Sequence, residues 1–318
     1  MLAFFSSGMK PNAEDINKKE KELNSLEELQ ADSGGDNVER DENSLNKISD
    51  ITVLDHSSKE QNSSTQFDYS SPCRRLFIER TSTSNSQENE EPIEVIVPQR
   101  DIGEEAVVVW DAGLVLAYYL VKHQSTYRLC DKQNPPHVVD VGAGTGVVGL
   151  VASSLGANVT LTDLPRILPL LEEGISANHK LIENTRHYKE NHFIRALPLK
   201  WGNISDVNEV CRKTTKKEQD LGGPPDLILV SDCVYFEQSL SPLIFTLREL
   251  VKSSDNSAPI LLSYEVRDYS EKKKKVKEDF FSLAERYFLI KEIPTPDCHE
   301  EYASEDIKVI KMIALPQK

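Results

Sequence analysis

The stretch that most constrains this chain is His137-Val-Val-Asp-Val-Gly-Ala-Gly-Thr-Gly146. A β-branched run reads as a buried strand, and it feeds directly into glycines at 142, 144 and 146. Glycines free such a turn of Cβ atoms. The backbone can then take positive φ and approach a ligand at the C-terminal end of the strand, where open α/β sheets bind. Asp163, twenty-one residues after Gly142, ends the next predicted strand and is spaced to accept hydrogen bonds from both hydroxyls of a ribose. Read from Gly142, the first glycine after the strand, the dinucleotide fingerprint G-x-G-x-x-G does not fit, because its third glycine would fall at Val147.

Alternating elements surround this unit. Arg74–Glu79 and Ile93–Val97 predict a leading hairpin, and Asp111 is placed to cap a packed helix carrying Leu114, Leu116, Tyr118 and Leu120. After the strand His137–Val141 come a helix at Gly146–Leu155, a strand at Asn158–Thr162, a helix at Pro169–Leu181 and a strand at Phe193–Lys200. A strand at Asp226–Ser231, a helix at Ser239–Val251 with Ser239 or Ser241 near its start, and a strand at Ile260–Tyr264 follow. Last come a helix at Glu271–Phe288 and two strands, Leu289–Ile293 and Ile307–Ala314, joined by a polar loop. The expected sheet is mostly parallel, with one antiparallel strand at its edge.

Charge and composition narrow the function. The first seventy residues hold fifteen Asp/Glu against seven Lys/Arg with many Ser and Asn, too little apolar surface to offset ordering entropy. Residues 1–70 therefore read as a disordered acidic tail, and 73–318 as one folded domain. The tail carries −8 of the net −15, so the domain is itself acidic, which disfavours nucleic acid as a partner and suits basic protein segments. Five cysteines with no C-x-x-C pair argue against a disulfide framework or a zinc site and for a reducing compartment. Leu2–Phe5 is too short for a signal-peptide core, and no apolar run reaches about 18 residues, so a soluble intracellular protein without a membrane partner is expected. The expected location is the cytoplasm, with the nucleus as a second place.

Beyond the fourth predicted strand of the main sheet, Pro225-Asp-Leu-Ile-Leu-Val-Ser-Asp-Cys-Val-Tyr235 puts Asp232 and Tyr235 on the same lip as the glycine turn. A carboxylate with an aromatic wall suits an aliphatic cation, whereas planar amides and base amines commonly meet Asn-Pro-Pro-Tyr in this position. The two tryptophans, Trp110 and Trp201, flank the same cleft, as an adenine, a sulfonium or an ordinary core would equally allow.

The alternate glycines after Asp140 resemble motif I of S-adenosylmethionine enzymes, and Asp232-x-x-Tyr235 resembles the D-x-x-Y motif of the methyltransferase-like family of protein lysine methyltransferases. Val109-Trp-Asp-Ala112, Leu199-Lys-Trp-Gly202, Pro224-Pro-Asp226 and Glu300-Glu-Tyr-x-Ser-Glu-Asp-Ile307 extend the resemblance over residues 73 to 315. It implies a Rossmann-like, seven-stranded class I methyltransferase sheet behind an N-terminal hairpin. It implies cofactor contacts from Trp110, Gly142, Ala143, Gly144, Asp163, Trp201 and Ser231, and acceptor contacts from Asp232 and Tyr235. No metal is expected. A protein lysine is the implied acceptor, with the hexameric ATPase valosin-containing protein as the suggested partner. Another protein, a small amine, or an inactive interaction module stay as alternatives. The chain departs from the family in its acidic tail, in Ser231 where Ala is usual, and in a Lys-rich stretch between Ile204 and Gly223. The run Lys272–Lys275 reads as a solvated helix face, and the acidic segment His299–Asp306 as a candidate rim of the cleft.

Overall fold

The computed structural model describes residues 72–78, 92–100, 107–131, 133–183, 192–212 and 222–316. The chain divides into two compact units, Met1–Thr65 and Gln66–Lys318. The acidic tail and the centre of the Lys-rich insertion, 213–221, lie outside the described residues.

In the second unit, β1 (Cys73–Ile78) and β2 (Ile93–Pro98) form an antiparallel pair separate from the main sheet. The buried side chain of Asn178 fastens this pair to the domain. It accepts from the Ile96 amide at 2.8 Å and donates to the Ile96 carbonyl at 2.6 Å, replacing a missing neighbour strand. The remaining elements are α1 (Asp111–Lys122), β3 (His137–Val141), α2 (Val147–Leu155), β4 (Asn158–Asp163), α3 (Leu168–Glu183), β5 (Ile194–Pro198), α4 (Ile204–Val210), β6 (Leu227–Ser231), α5 (Leu240–Ser253), β7 (Ile260–Glu265), α6 (Glu271–Ala284), β8 (Phe288–Ile293) and β9 (Ile307–Ala314).

Seven strands make one sheet in the order β5-β4-β3-β6-β7-β9-β8. The first five pair in parallel, and β9 runs antiparallel between β7 and β8. The expectation of an antiparallel edge strand is thus corrected: β9 turns back on β8 and slots inside it, so the edge is β8. Alternation explains the burial. Leu227 and Leu229 of β6 join the core beneath α1, α2 and α3, while Ile228 and Val230 join the core beneath α5 and α6. Both faces are covered, so β6 is apolar at every position from Leu227 to Val230.

Three local expectations also change. The last long helix stops at Ala284, and Phe288 starts β8, because a turn at residues 285–287 intervenes. A short helix, α4, was not anticipated in the Ile204–Gly223 stretch; Asn203 caps it by accepting from the Ser205 and Asp206 amides. Asp111 does not cap its helix, whereas Ser239 stands at the start of α5 as expected. Trp110 occupies the cap position of α1, with Asp111 in the first turn, and Ser239 ends a 3-10 turn leading into α5.

Candidate functional site: a glycine cradle and an acidic lip

Because β3, β4, β6 and β7 are parallel, their C-terminal ends bring Gly142, Asp163, Asp232 and Arg267 to one edge of the sheet. The chain steps from β3 to β4 and β5 on one side and continues with β6 and β7 on the other. The crevice at such a reversal is where open α/β sheets hold ligands.

The cradle is built largely from backbone. Gly142, Gly144 and Gly146 all have positive φ, at 67°, 57° and 77°. A Cβ on Gly142 would stand 2.8 Å from both Cys233 Sγ and Trp201 Cζ2, so that glycine is needed for close approach as well as for conformation. Asp163 is buried at the end of β4. One oxygen accepts from the Gly144 amide at 2.8 Å and the other from the Leu164 amide at 2.7 Å. Burial raises its pKa above the usual carboxylate range, and these two amides oppose the shift. Each oxygen keeps a second lone pair for a ribose hydroxyl.

Behind the cradle lies Asp140, fully buried in β3. Its Oδ2 accepts from the Gly149 amide at 2.9 Å, while Oδ1 has no partner among the described residues. Burial pushes its pKa up to about 7 against the pull of Gly149, and the neighbouring Asp163 adds to the rise. Trp201 lies in the turn after β5, and the Gly202 amide ties that turn to α5 by donating to Thr246 Oγ1 at 2.8 Å. Ala143 is buried and donates its amide to the Thr162 carbonyl at 2.9 Å. Ser231 closes β6, with its Oγ 3.8 Å from where a Cβ on Gly113 of α1 would stand.

The lip is built from side chains. Asp232 follows β6 in the left-handed region at φ 53°, and its amide extends the ladder to the Ser263 carbonyl at 2.8 Å. Only 7% of its side chain is exposed. Both carboxylate oxygens are held by Arg267, whose Nη1 and Nη2 donate at 2.9 and 2.6 Å. The same guanidinium meets Glu265 at 2.8 Å and lies over the Trp110 ring, 6.0 Å from its centroid. Asp111 faces this cluster. Its pKa is raised, first by burial and then by the charges of Glu265 and Asp232, with Arg74 opposing, and its Oδ1 has no partner among the described residues. Tyr235 is anchored by its carbonyl, which accepts from Lys273 Nζ at 3.3 Å, and its ring meets Phe236 at 4.6 Å between centroids.

Cradle and lip are joined at Cys233. Its Sγ lies 3.6 Å from the Val141 carbonyl and 3.8 Å from that of Gly142, so the segment carrying Asp232 and Tyr235 is bolted to the glycine turn. The acidic segment comes close as well: the Val266 amide donates to the Asp306 carbonyl at 2.7 Å, beside Arg267, and Tyr302 stacks on Tyr118 of α1 at 3.5 Å. Among the described residues no cluster of side chains is arranged to hold a metal.

Sequence reasoning missed Arg267, Glu265 and Asp111 as members of this cluster. The signal was present. Glu265-Val-Arg267 follows a buried strand as directly as Asp232 does, and such charges at a strand end point to a site.

The cradle suits a nucleoside with a sulfonium rather than a dinucleotide. A pyrophosphate would need the loop amides, and those of Ala143, Gly144 and Gly146 are already donated to Thr162, Asp163 and Ala143. The carboxylates around the cleft suit a cationic sulfonium instead. S-adenosylmethionine is therefore the cofactor that the cradle fits.

A seven-stranded sheet of this order with such a cradle defines the Rossmann-like methyltransferase fold. The chain belongs to the lysine methyltransferase family, whose profile matches residues 89–287. It is 33% identical over 211 residues to protein-lysine methyltransferase METTL21E of Bos taurus, covering 66% of this chain and 61% of that one. Protein N-lysine methyltransferase METTL21A of Mus musculus is 32% identical over 198 residues, covering 61% of this chain and 75% of its own. A putative methyltransferase-like protein 21E pseudogene of Homo sapiens is 37% identical over 147 residues, covering 46% of this chain. The chain spans 47% of the pseudogene product and under two thirds of the bovine protein.

Proposed function

We propose that this chain transfers a methyl group from S-adenosylmethionine to the side-chain nitrogen of a protein lysine, and that the substrate is the hexameric ATPase valosin-containing protein. The observation that carries the reading is the junction at Cys233, which sets the carboxylate and aromatic lip directly against the cofactor turn. In this reading Trp110, Gly142, Ala143, Gly144, Asp163, Trp201 and Ser231 hold the cofactor. Asp232 and Tyr235 receive the acceptor.

The chemistry asks for a neutral amine. When bound, the cofactor supplies an electrophilic methyl on sulfur. A lysine with its ordinary pKa of about 10.4 must first lose a proton, which costs roughly 4.6 kcal/mol at pH 7. Asp232 favours the charged form, so its role is to capture and orient the amine, not to act as general base. Desolvation beside Trp110, Tyr235 and Phe236 acts in the opposite direction, toward the neutral amine. The exposed acidic loop of Glu300, Glu301, Glu305 and Asp306 suits a basic protein surface.

The choice of ATPase is supported by the motifs shared along the chain, from Val109-Trp-Asp-Ala112 to Glu300–Ile307. Mass spectrometry of purified valosin-containing protein, incubated with the full chain and S-adenosylmethionine, tests it, with Asp232→Asn as control. A lysine that gains methyl groups only with the intact enzyme is the expected result. No methylation, despite measured cofactor binding, would overturn the substrate and move the acceptor to other basic proteins or small amines.

A further inference from the structure

The lip holds an unusual combination for a site that must receive a lysine: two carboxylates, Asp232 and Glu265, bound to one largely buried guanidinium, with a third, Asp111, that feels the charges of both. Arg267 is 16% exposed and Asp232 7%, and the fork geometry leaves neither oxygen of Asp232 without a cationic partner. Without Arg267, an incoming ammonium would meet a desolvated carboxylate with no competing cation, and its proton would be held tightly.

Resting on the lysine reading above, we infer that Arg267 sets the protonation of the acceptor amine. Its fixed positive charge keeps the lip from stabilising the ammonium, so that the amine is bound neutral and ready to attack. The acidic surroundings still draw a cation toward the cleft, and the guanidinium beside Asp232 makes the last step favour release of the proton to water. The nitrogen lone pair then forms the N–C bond as the S–C bond breaks, and S-adenosylhomocysteine leaves. Arg267 acts through charge and through the orientation of Asp232, which makes it a positioning residue.

Other groups bear on the same spot and enter the test. Glu265 at the end of β7 and Tyr269 in the turn beyond act on Arg267; Asp111 of α1 feels Glu265 and Asp232, opposed by Arg74 of β1; Lys273 of α6 reaches the Tyr235 carbonyl. None of them places a second buried cation against Asp232 among the described residues.

The experiment is a pH profile of kcat/KM for the full-length enzyme with its protein substrate. Arg267→Gln keeps a hydrogen-bond donor for Asp232 but removes the charge, so the acidic limb moves up by about one pH unit or more. Arg267→Lys keeps the charge and leaves the limb in place while kcat falls. Glu265→Gln, at a half-exposed site that tolerates an amide, removes a negative charge and moves the limb down. Opposite shifts from Gln at 265 and at 267 are the expected result. A uniform loss of rate with no displacement of the limb would show a merely structural role and overturn the inference.

A second measurement needs no protein substrate. n-Butylammonium binding is followed by calorimetry on enzyme saturated with S-adenosylhomocysteine, at pH 7. Arg267→Gln is expected to bind at least about tenfold more tightly than wild type, as one pKa unit of altered charge stabilisation dictates. Equal affinity would overturn the inference even if methylation of valosin-containing protein fails, and that failure by itself would count only against the substrate.

Discussion

The cradle and the lip meet at Cys233 but are built on different principles. In the cradle, glycine backbone and two buried carboxylates satisfy one another: Asp163 takes the amides of Gly144 and Leu164, and Asp140 takes that of Gly149. In the lip, Asp232 after β6 and Glu265 at the end of β7 are neutralised by the side chain of Arg267. A site made of backbone is fixed by the fold and serves one cofactor. A site made of side chains can change acceptor with few substitutions.

The sharpest way to break this division is Asp232→Asn. Its neutral amide cannot hold both Arg267 nitrogens, and a displaced acceptor costs on the order of 100-fold in turnover. Transfer should collapse while calorimetry shows unchanged affinity for S-adenosylmethionine. Loss of cofactor binding in this variant would mean that cradle and lip are one energetic unit. Gly142→Ala attacks from the other side. The left-handed backbone at this position costs a non-glycine residue about 1–2 kcal/mol, and overpacking against Trp201 and Cys233 adds about 1–3 kcal/mol. Cofactor affinity should fall at least about tenfold; retained affinity would show that Trp201 swings away and that the cradle is softer than it looks.

Asp163→Ala comes next, with an expected loss of about 1.5–3 kcal/mol in cofactor binding, the worth of a hydrogen bond to a charged group. The same variant frees the Gly144 and Leu164 amides, so thermal unfolding is measured beside calorimetry. Weakened stability with undiminished affinity would make Asp163 a brace for the turn and nothing more.

How much of this was legible follows from the same contrast. The strand-glycine-strand-acid pattern revealed the cradle because each of its parts is local: a β-branched run, a glycine turn, an acid at the next strand end. Asp232 was legible for the same reason. Arg267 was not, since its significance lies in reaching across from β7 to the neighbouring strand, a pairing thirty-five residues apart that no periodicity encodes. The position of β9 was missed on similar grounds. A hairpin-like pair can add to a sheet with either strand innermost, and the pairing of Ile260 with Met312 decides it. Asp111 was misread as a cap because a polar residue before an apolar helix is the usual signal, yet the chain becomes helical one residue earlier and turns that carboxylate toward the lip.

The smallest expected effect, and the one that probes the cradle alone, is the pH dependence of stability. Asp140 has a folded pKa near 7 against about 4 when unfolded, so the folded state holds the extra proton between those values. Its stabilising contribution is complete below about pH 4 and disappears as the pH rises through about 7. His137, at the other end of β3, has the opposite sign. Burial, with Arg195 adding to it, lowers its folded pKa to about 4, so its contribution is present above about 6.5 and is lost as the pH falls. The two slopes oppose each other across one window, so each masks the other in wild type. Asp140→Asn removes one of the pair and should lose more stability than wild type, measured by urea unfolding, as the medium is acidified from pH 7 to 4. Parallel curves for the two proteins would mean that Asp140 titrates alike folded and unfolded, and that the orphaned Oδ1 behind the glycine turn is hydrated.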